Sequence, residues 1–538
     1  MSKLLRPICP MLVIGTLWLA APVAAQDSQR ADLLLKNGTI YNGSGEPGFT
    51  GDVAIRGERI VAVGEFDAKS ADQVYDCQGL VIAPGFIDLH NHSDRQVIAA
   101  GTRANVNYLT QGCTTIVTGN CGAGPINVAK YYDRIDAAGC GTNVAHLLPQ
   151  GALRDEVVGR AQRTAKPAEL ERMRRLATRA MQEGAWGMSS GLIYVPSSYA
   201  DTTELSQIAE AVAAHGGLYV SHIRNEGAAL LDAVNEAMAI GAGSGARVHI
   251  SHFKSKGQDA WGLIRQAVKL IEAARSHGQI VTADQYPYTA SSTSLEATLM
   301  PTWARAGGQK DLVARLDNAE QSSRIRDAIR RSLSTSNDAA GLWIARYKPR
   351  QDWVGKNLAQ IAESENLSEV DLTIKIARNG GAAIVNFGMS EDDVRFAMQV
   401  PWVATASDGR AYLPDETRPH PRSYGTFPRK VGHYALRENV LDTATAIRSA
   451  TGLPADVLQL EDRGYLRQGA FADVVVFDPD EFIDAATFEA PHQYSRGVRF
   501  VFVNGQPAVF RGHPTGALAG RALRHSSTDQ NAVESDGN

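Results

Sequence analysis

Basic clusters are absent from this chain: no run of Lys or Arg and no basic patch interleaved with aromatics occurs, and the charges nearly cancel to a formal −4 across 538 residues. That excludes a polyanion-binding surface, and with it nucleic acid as a partner. Cysteine is also scarce, at five residues, so a disulfide framework does not hold the fold. Cys113 and Cys121 flank a strand-like run whose eight residues span about 26 Å, far beyond the roughly 4.4–6.8 Å between bridged Cα atoms. No apolar run is long enough to span a bilayer, which takes about 20 residues. The longest, Met11–Ala21, follows Lys3 and Arg6 and precedes Val23-Ala24-Ala25. This order is that of a secretory signal peptide over residues 1–25, cleaved after Ala25. An uncleaved anchor is the other reading. Cleavage implies an exported protein, periplasmic or secreted, with no stable membrane insertion afterwards.

What is present divides the chain into a large α/β unit and a small β-module. Short alternating segments in 26–83 read as antiparallel strands, and similar segments return in 456–524. Two groups of strands from opposite ends therefore build one small β-sandwich module around an inserted main domain. From 84 to 455, strand-like and helix-like pieces alternate. Pro167 opens a helix with apolar residues at threes and fours, and Ser368 with Asp371 starts another. The runs TTIVTGN, GMSSGL, GLYVSH, ARVHISH, IVTADQYP, AIVNFG and WVATASD, with the one ending at His90, count eight. The expected fold is a (β/α)8 TIM-like barrel. A helix-rich stretch at about 294–355 has no barrel strand and reads as an insertion over the mouth. The tail 525–538 is polar and reads as disordered.

Chemistry gathers at strand ends. Phe86-Ile87-Asp88-Leu89-His90-Asn91-His92 places two imidazoles two residues apart, on one face of an extended chain. Cys121 follows the second run, His222 and His252 end two later ones, and Asp408 ends the last. In a barrel these ends share one mouth, so His, Cys and Asp recurring there point to a metal site. Strict alternation puts His249 on the opposite face from His252, against a helix or in solvent.

These stretches resemble the amidohydrolase superfamily, specifically its N-acyl-D-amino-acid deacylase (D-aminoacylase) branch. The resemblance rests on GFIDLHNHSD, QGCTTIVTGNCG, SSGLIYVPSSYA, GLYVSHIRNEG, HISHFKSKG, DQYPYTASSTSL, and SDG followed by RPHPRSYGTFPR. Many amidohydrolases bridge two metals through a carboxylated lysine; this branch uses cysteine. The resemblance implies a tightly held zinc on Cys121, His222 and His252, and a second, weaker metal position at His90, His92 and Asp408. It makes Asp408 the general base and then acid. It implies a carboxylate clamp of Lys254, Arg422, Tyr286 and Ser292, with Tyr194 at the acyl carbonyl. The expected substrate is a small N-acyl-D-amino acid or short peptide. Cyclic-amide hydrolysis is the alternative within hydrolases, and an exported binding protein the non-catalytic one. The loop from Asp408 to Arg422 is longer than the branch leads one to expect. D-preference rests on the resemblance alone, and no oligomeric state is assigned.

Overall fold

The computed structural model describes residues 30–335 and 338–526. The expected signal peptide lies outside the described residues, as does the tail from 527. His525, where the tail was expected to begin, is packed: its ring lies 5.1 Å from that of Trp186, and its N–H donates to the Gly184 carbonyl at 3.0 Å.

Eight parallel strands form the barrel: Phe86–Asp88, Cys113–Thr118, Asn143–His146 with its continuation Leu148–Pro149, Gly187–Gly191, Leu218–His222, Arg247–Ile250, Val281–Gln285 and Val403–Thr405. The ring closes where Asn91 bridges Gly409 in parallel and the Asp408 N–H donates to the His90 carbonyl at 2.8 Å. Two of the residues expected to carry chemistry thus sit at the seam.

One expected barrel strand is misplaced. Ala383–Asn386 is the middle strand of a separate antiparallel sheet, between Ser291–Ser294 and Leu342–Arg346. The third barrel strand is instead Asn143–His146, whose four residues are all buried and show no alternation to read. The insertion is correspondingly larger than 294–355. It runs from Ser291 to Asn386, combines helices with that three-stranded sheet, and has its own core around Leu299, Ile325, Leu342, Trp353 and Ile384.

The β-module is a nine-stranded sheet drawn from both ends of the chain. Its halves join where Val81–Pro84 pairs antiparallel with Val474–Phe477. Period-two alternation sends Val474 and Val476 to the module's core and Val475 and Phe477 to the core shared with the barrel. The sheet folds over itself as a sandwich, with the Tyr75 ring 5.4 Å from Phe500 and 5.6 Å from Phe510. The module's second part begins later than residue 456, because the helix Gly452–Leu458 packs Leu453 and Val457 with Ile87 and Ala404 of the barrel. Residues 520–522 also return to the barrel, bridging Cys140 and Val144. All four described cysteines are buried and unbridged. Among the described residues no helix is long and apolar enough to cross a membrane.

Phe86 joins the two units. It opens the first barrel strand, is fully buried, and stacks on Phe427 at 5.4 Å with Phe482 at 6.3 Å. Phe86→Ala should cost about 3–5 kcal/mol, read as a lowered urea midpoint. A midpoint within error of wild type would mean that this junction is not under tension from the core.

Candidate metal centre and substrate pocket

Three residues of the site leave their strands in left-handed backbone: Cys121 at φ 51°, His252 at φ 36° and Asp408 at φ 49°. None is glycine, so each conformation costs of order 1–3 kcal/mol and must be held by its surroundings. The His252 N–H donates to Asp284 Oδ1 at 2.7 Å, and the Asp408 N–H donates across the barrel seam. Gly122, just past Cys121, donates its N–H to Ser189 Oγ at 3.0 Å. Gly191 lets the fourth strand approach this turn, since a Cβ there would sit 2.2 Å from the Cys121 carbonyl oxygen.

The break at His252 also corrects the expected position of His249. Val248 and Ile250 pack outward with the helices, so His249 faces the barrel interior, where its Nε2 lies 2.9 Å from Asp284 Oδ2 and its Nδ1 2.8 Å from Thr282 Oγ1. Alternation holds only within Arg247–Ile250; beyond it the left-handed turn swings His252 back over the mouth.

The donors converge on Cys121. Its Sγ lies 3.3 Å from His90 Nε2, 3.4 Å from His222 Nδ1 and 3.8 Å from His252 Nε2. His222 Nδ1 and His252 Nε2 face each other at 2.8 Å. His92 Nε2 is 3.1 Å and His90 Nε2 3.6 Å from Asp408 Oδ1. Ligand atoms of His90, Cys121 and His252, of His90, His92 and Asp408, and of His222, Glu226 and His252 each lie within 4.8 Å of one another. Zn–S of about 2.3 Å and Zn–N of about 2.0–2.1 Å at a tetrahedral angle place S and N about 3.6 Å apart. The Cys121 distances to His222 and His252 straddle that figure.

Charge makes the same demand. Cys121, Asp284, Asp408 and Glu226 are acids in this space, against the two fixed cations Lys254 and Arg422. Burial pushes the Cys121 thiol up, yet the His90 and His222 rings override it and hold the thiol well below its ordinary range. Burial likewise disfavours charged His90 and His92. For His90 the Cys121 thiolate, Asp408 and Asp284 override it and hold the ring well above its ordinary value; for His92 the Asp408 hydrogen bond leads, raising it to about 9. The excess of about two negative charges is what a divalent cation neutralises, and the thiolate with imidazoles selects zinc over magnesium or calcium.

A cavity of about 1230 Å³ opens onto the centre, lined by His92, Cys121, Tyr194, Ser292, Asp408 and Arg422. Arg422 Nη1 lies 2.8 Å from Asp408 Oδ2, while its Nη2 donates to the Ser292 carbonyl at 3.3 Å. Its guanidinium also covers the Tyr286 ring, 4.6 Å from the centroid. Tyr194 sets its ring edge against His222 at 5.1 Å and pairs its hydroxyl with Thr293 Oγ1 at 2.8 Å. Ser292 departs from its expected part as a hydroxyl donor to the cavity: its hydroxyl donates to the Ile384 carbonyl at 2.8 Å, within the insertion sheet. Lys254 and Tyr286 are buried and are not lining residues; the Tyr286 hydroxyl has no hydrogen-bond partner among the described residues. Lys254 is held by Glu226, and Asp284 lies 3.6 Å from His90 Nδ1. Sequence reasoning passed over both carboxylates, although Asp284 sits at a strand end just as Asp408 does, and Glu226 follows His222 by four residues.

The amidohydrolase family model "Amidohydro_3" matches residues 73–310 and 392–509, leaving out most of the insertion. The chain belongs to the amidohydrolase family. This amidohydrolase is 35% identical to a D-aminoacylase of Alcaligenes xylosoxydans xylosoxydans, over 94% of this chain and all of that protein. A solved D-aminoacylase, described with a binuclear metal centre having one-metal activation and second-metal attenuation, superposes with a TM-score of 0.80 at 33% identity, covering 92% of this chain and 100% of that one. N-acyl-D-glutamate deacylase from Bordetella bronchiseptica, solved with zinc and a phosphonate mimic of the tetrahedral intermediate, gives 0.78 at 32% identity, again over 92% and 100%. The site of this amidohydrolase depends on the Gly191 contact. Gly191→Ala should push the Cys121 turn out of register and weaken zinc retention by about 10- to 100-fold, read by competition with a chelator. Unchanged retention in the folded variant would mean that the turn moves without loss.

Proposed function

We propose that this amidohydrolase cleaves the amide bond of N-acyl-D-amino acids, releasing a carboxylate and a free D-amino acid. The observation that carries the reading is the adjacency of Asp408 to both halves of the site: Oδ1 faces the His90 and His92 rings, and Oδ2 faces Arg422. In an N-acyl amino acid the free carboxylate lies only a few bonds from the scissile amide. A cation that captures the carboxylate must therefore sit within a few ångströms of the group that handles the proton. Arg422 and Asp408 meet that requirement.

Cys121, His222 and His252 would hold the tight zinc, and His90, His92 and Asp408 a weaker second position. When bound, zinc supplies a Lewis acid that lowers the pKa of water towards about 7 and polarises the acyl carbonyl. Asp408 accepts the proton of the attacking water as its oxygen bonds to the acyl carbon. It returns that proton to the amine nitrogen as the C–N bond breaks. Arg422, braced on the Tyr286 ring, orients the substrate carboxylate through paired N–H donors. Tyr194, at the cavity wall beside His222, is placed to meet the acyl group. Support for D-substrates comes from the relatives, which are D-aminoacylase and N-acyl-D-glutamate deacylase. The insertion contributes Arg346 and Lys348 to the outer cavity wall, so acidic side chains belong in any substrate panel.

The test is amine release from N-acetyl-D- and N-acetyl-L-forms of Met, Leu, Phe, Glu and Asp by zinc-loaded protein beginning at Gln26. The D-forms should turn over, and Asp408→Asn should lower kcat by about 10²–10⁴-fold. No turnover of either enantiomer with zinc bound would sink the reading and turn attention to cyclic amides. We also propose that the enzyme acts after export, on the support of the Lys3–Ala25 leader. In a Gram-negative host the mature protein should begin at Gln26 in the periplasmic fraction; an intact Met1 form in the cytoplasm would refute this.

A further inference from the structure

Glu226 lies four residues beyond the end of the fifth barrel strand, is 7% exposed, and contacts both the ring of His252 and the ammonium of Lys254. Its Oε1 lies 2.9 Å from His252 Nδ1 and accepts a hydrogen bond from Lys254 Nζ. His252 turns its other nitrogen, Nε2, towards Cys121 and His222. The ring therefore stands between the metal-facing donors and a buried carboxylate, an arrangement that fixes both the tautomer and the tilt of a ligating histidine. Lys254 Nζ also lies 3.0 Å from that same His252 Nδ1, 2.9 Å from the His252 carbonyl and 5.6 Å from the centroid of the Tyr286 ring, which Arg422 also covers.

We infer that Glu226 is a positioning residue that ties the zinc-facing ring of His252 to Lys254 of the carboxylate clamp. This rests on the deacylase reading above. One oxygen faces both the ring nitrogen and the ammonium, which stand 3.0 Å apart, and it is the acceptor that lets two nitrogen groups sit so close. Removing the charge frees both at once: the ring loses the acceptor that aims it, and the ammonium loses its buried counter-charge and turns from the Tyr286 ring. A carboxylate that served only to offset buried charge would not link these two effects.

Glu226→Gln keeps the shape and one acceptor but removes the charge; Glu226→Asp keeps the charge on a shorter stem. Three measurements separate the outcomes, on variants whose thermal midpoints confirm folding. Chelator competition reads the hold on His252, and Glu226→Gln should lose zinc about 10- to 100-fold more readily. The thiolate-to-cobalt absorption band of cobalt-loaded protein should shift in Glu226→Gln and recover partly in Glu226→Asp. KM for the best N-acetyl-D-amino acid should rise at least about tenfold, with a smaller rise for the matching N-acetyl amine that lacks the carboxylate. In combination with Lys254→Met, the KM effects should fall well short of additive. Additive effects, or weaker zinc retention with KM unchanged, would overturn the tie to the clamp. Unchanged zinc retention and cobalt band would overturn the tie to His252. If wild type hydrolyses no N-acyl amino acid, the deacylase reading fails; if wild type is active and Glu226→Gln matches it throughout, this inference alone fails.

Discussion

The arrangement depends on negative charge taken out of water at the barrel mouth. A thiolate and three carboxylates lie within one layer of side chains, and Lys254 and Arg422 neutralise only part of that charge. Burying unpaired charge is too costly to persist, so His90, His92 and His252 are driven towards protonation unless a cation replaces the protons, while burial keeps His222 neutral. The centre is thus built around a ligand before any is bound. Its backbone strain is held at His252 by Asp284, at Cys121 by the Gly122 N–H on Ser189, and at Asp408 by the barrel seam, where the Asp408 N–H meets the His90 carbonyl.

Those acids also divide the work. Asp284 receives the His249 ring and the His252 N–H from below, and approaches His90 Nδ1. Glu226 meets His252 from the other side. Neither carboxylate lines the cavity, whereas Asp408 does. The two hidden carboxylates hold rings, and the one at the cavity faces Arg422 as well as the His90 and His92 rings. The insertion supplies the facing wall: the Ser292 carbonyl fixes Arg422 while the Ser292 hydroxyl is spent inside its own sheet. Its separate core lets this wall vary without disturbing the barrel, and the family model passes over most of it.

Legibility in the sequence followed the range of the forces involved. The His-x-His pair, Cys121, His222, His252 and Asp408 were readable because each closes an apolar run and the barrel brings such ends together. The strand Asn143–His146 was hidden because it is buried on both faces, and Ala383–Asn386 imitated it with the same short apolar pattern. The burial of His249 was misjudged because period-two counting was carried past Ile250, where the strand ends. Glu226 and Asp284 looked like ordinary acids. Their importance lies in contacts made across strands, and no spacing along the chain reports those.

Cys121 also explains why the two proposed metal positions should be unequal. Its sulfur lies within 3.8 Å of nitrogens from His90, His222 and His252, so one thiolate borders both positions. The side with His222 and His252 combines that thiolate with two imidazoles, and His252 is braced by Glu226. On the other side, His90 and His92 look to Asp408, whose second oxygen is already engaged by the Arg422 guanidinium. A cation there competes with Arg422 for the charge of Asp408, and with the tight site for that of Cys121. It would also occupy the carboxylate to which the proposed mechanism gives the proton transfer. In the proposed mechanism, an ion in the first position leaves the Asp408 carboxylate to Arg422 and the His90 and His92 rings, which hold it ionised, whereas an ion in the second would engage that carboxylate directly.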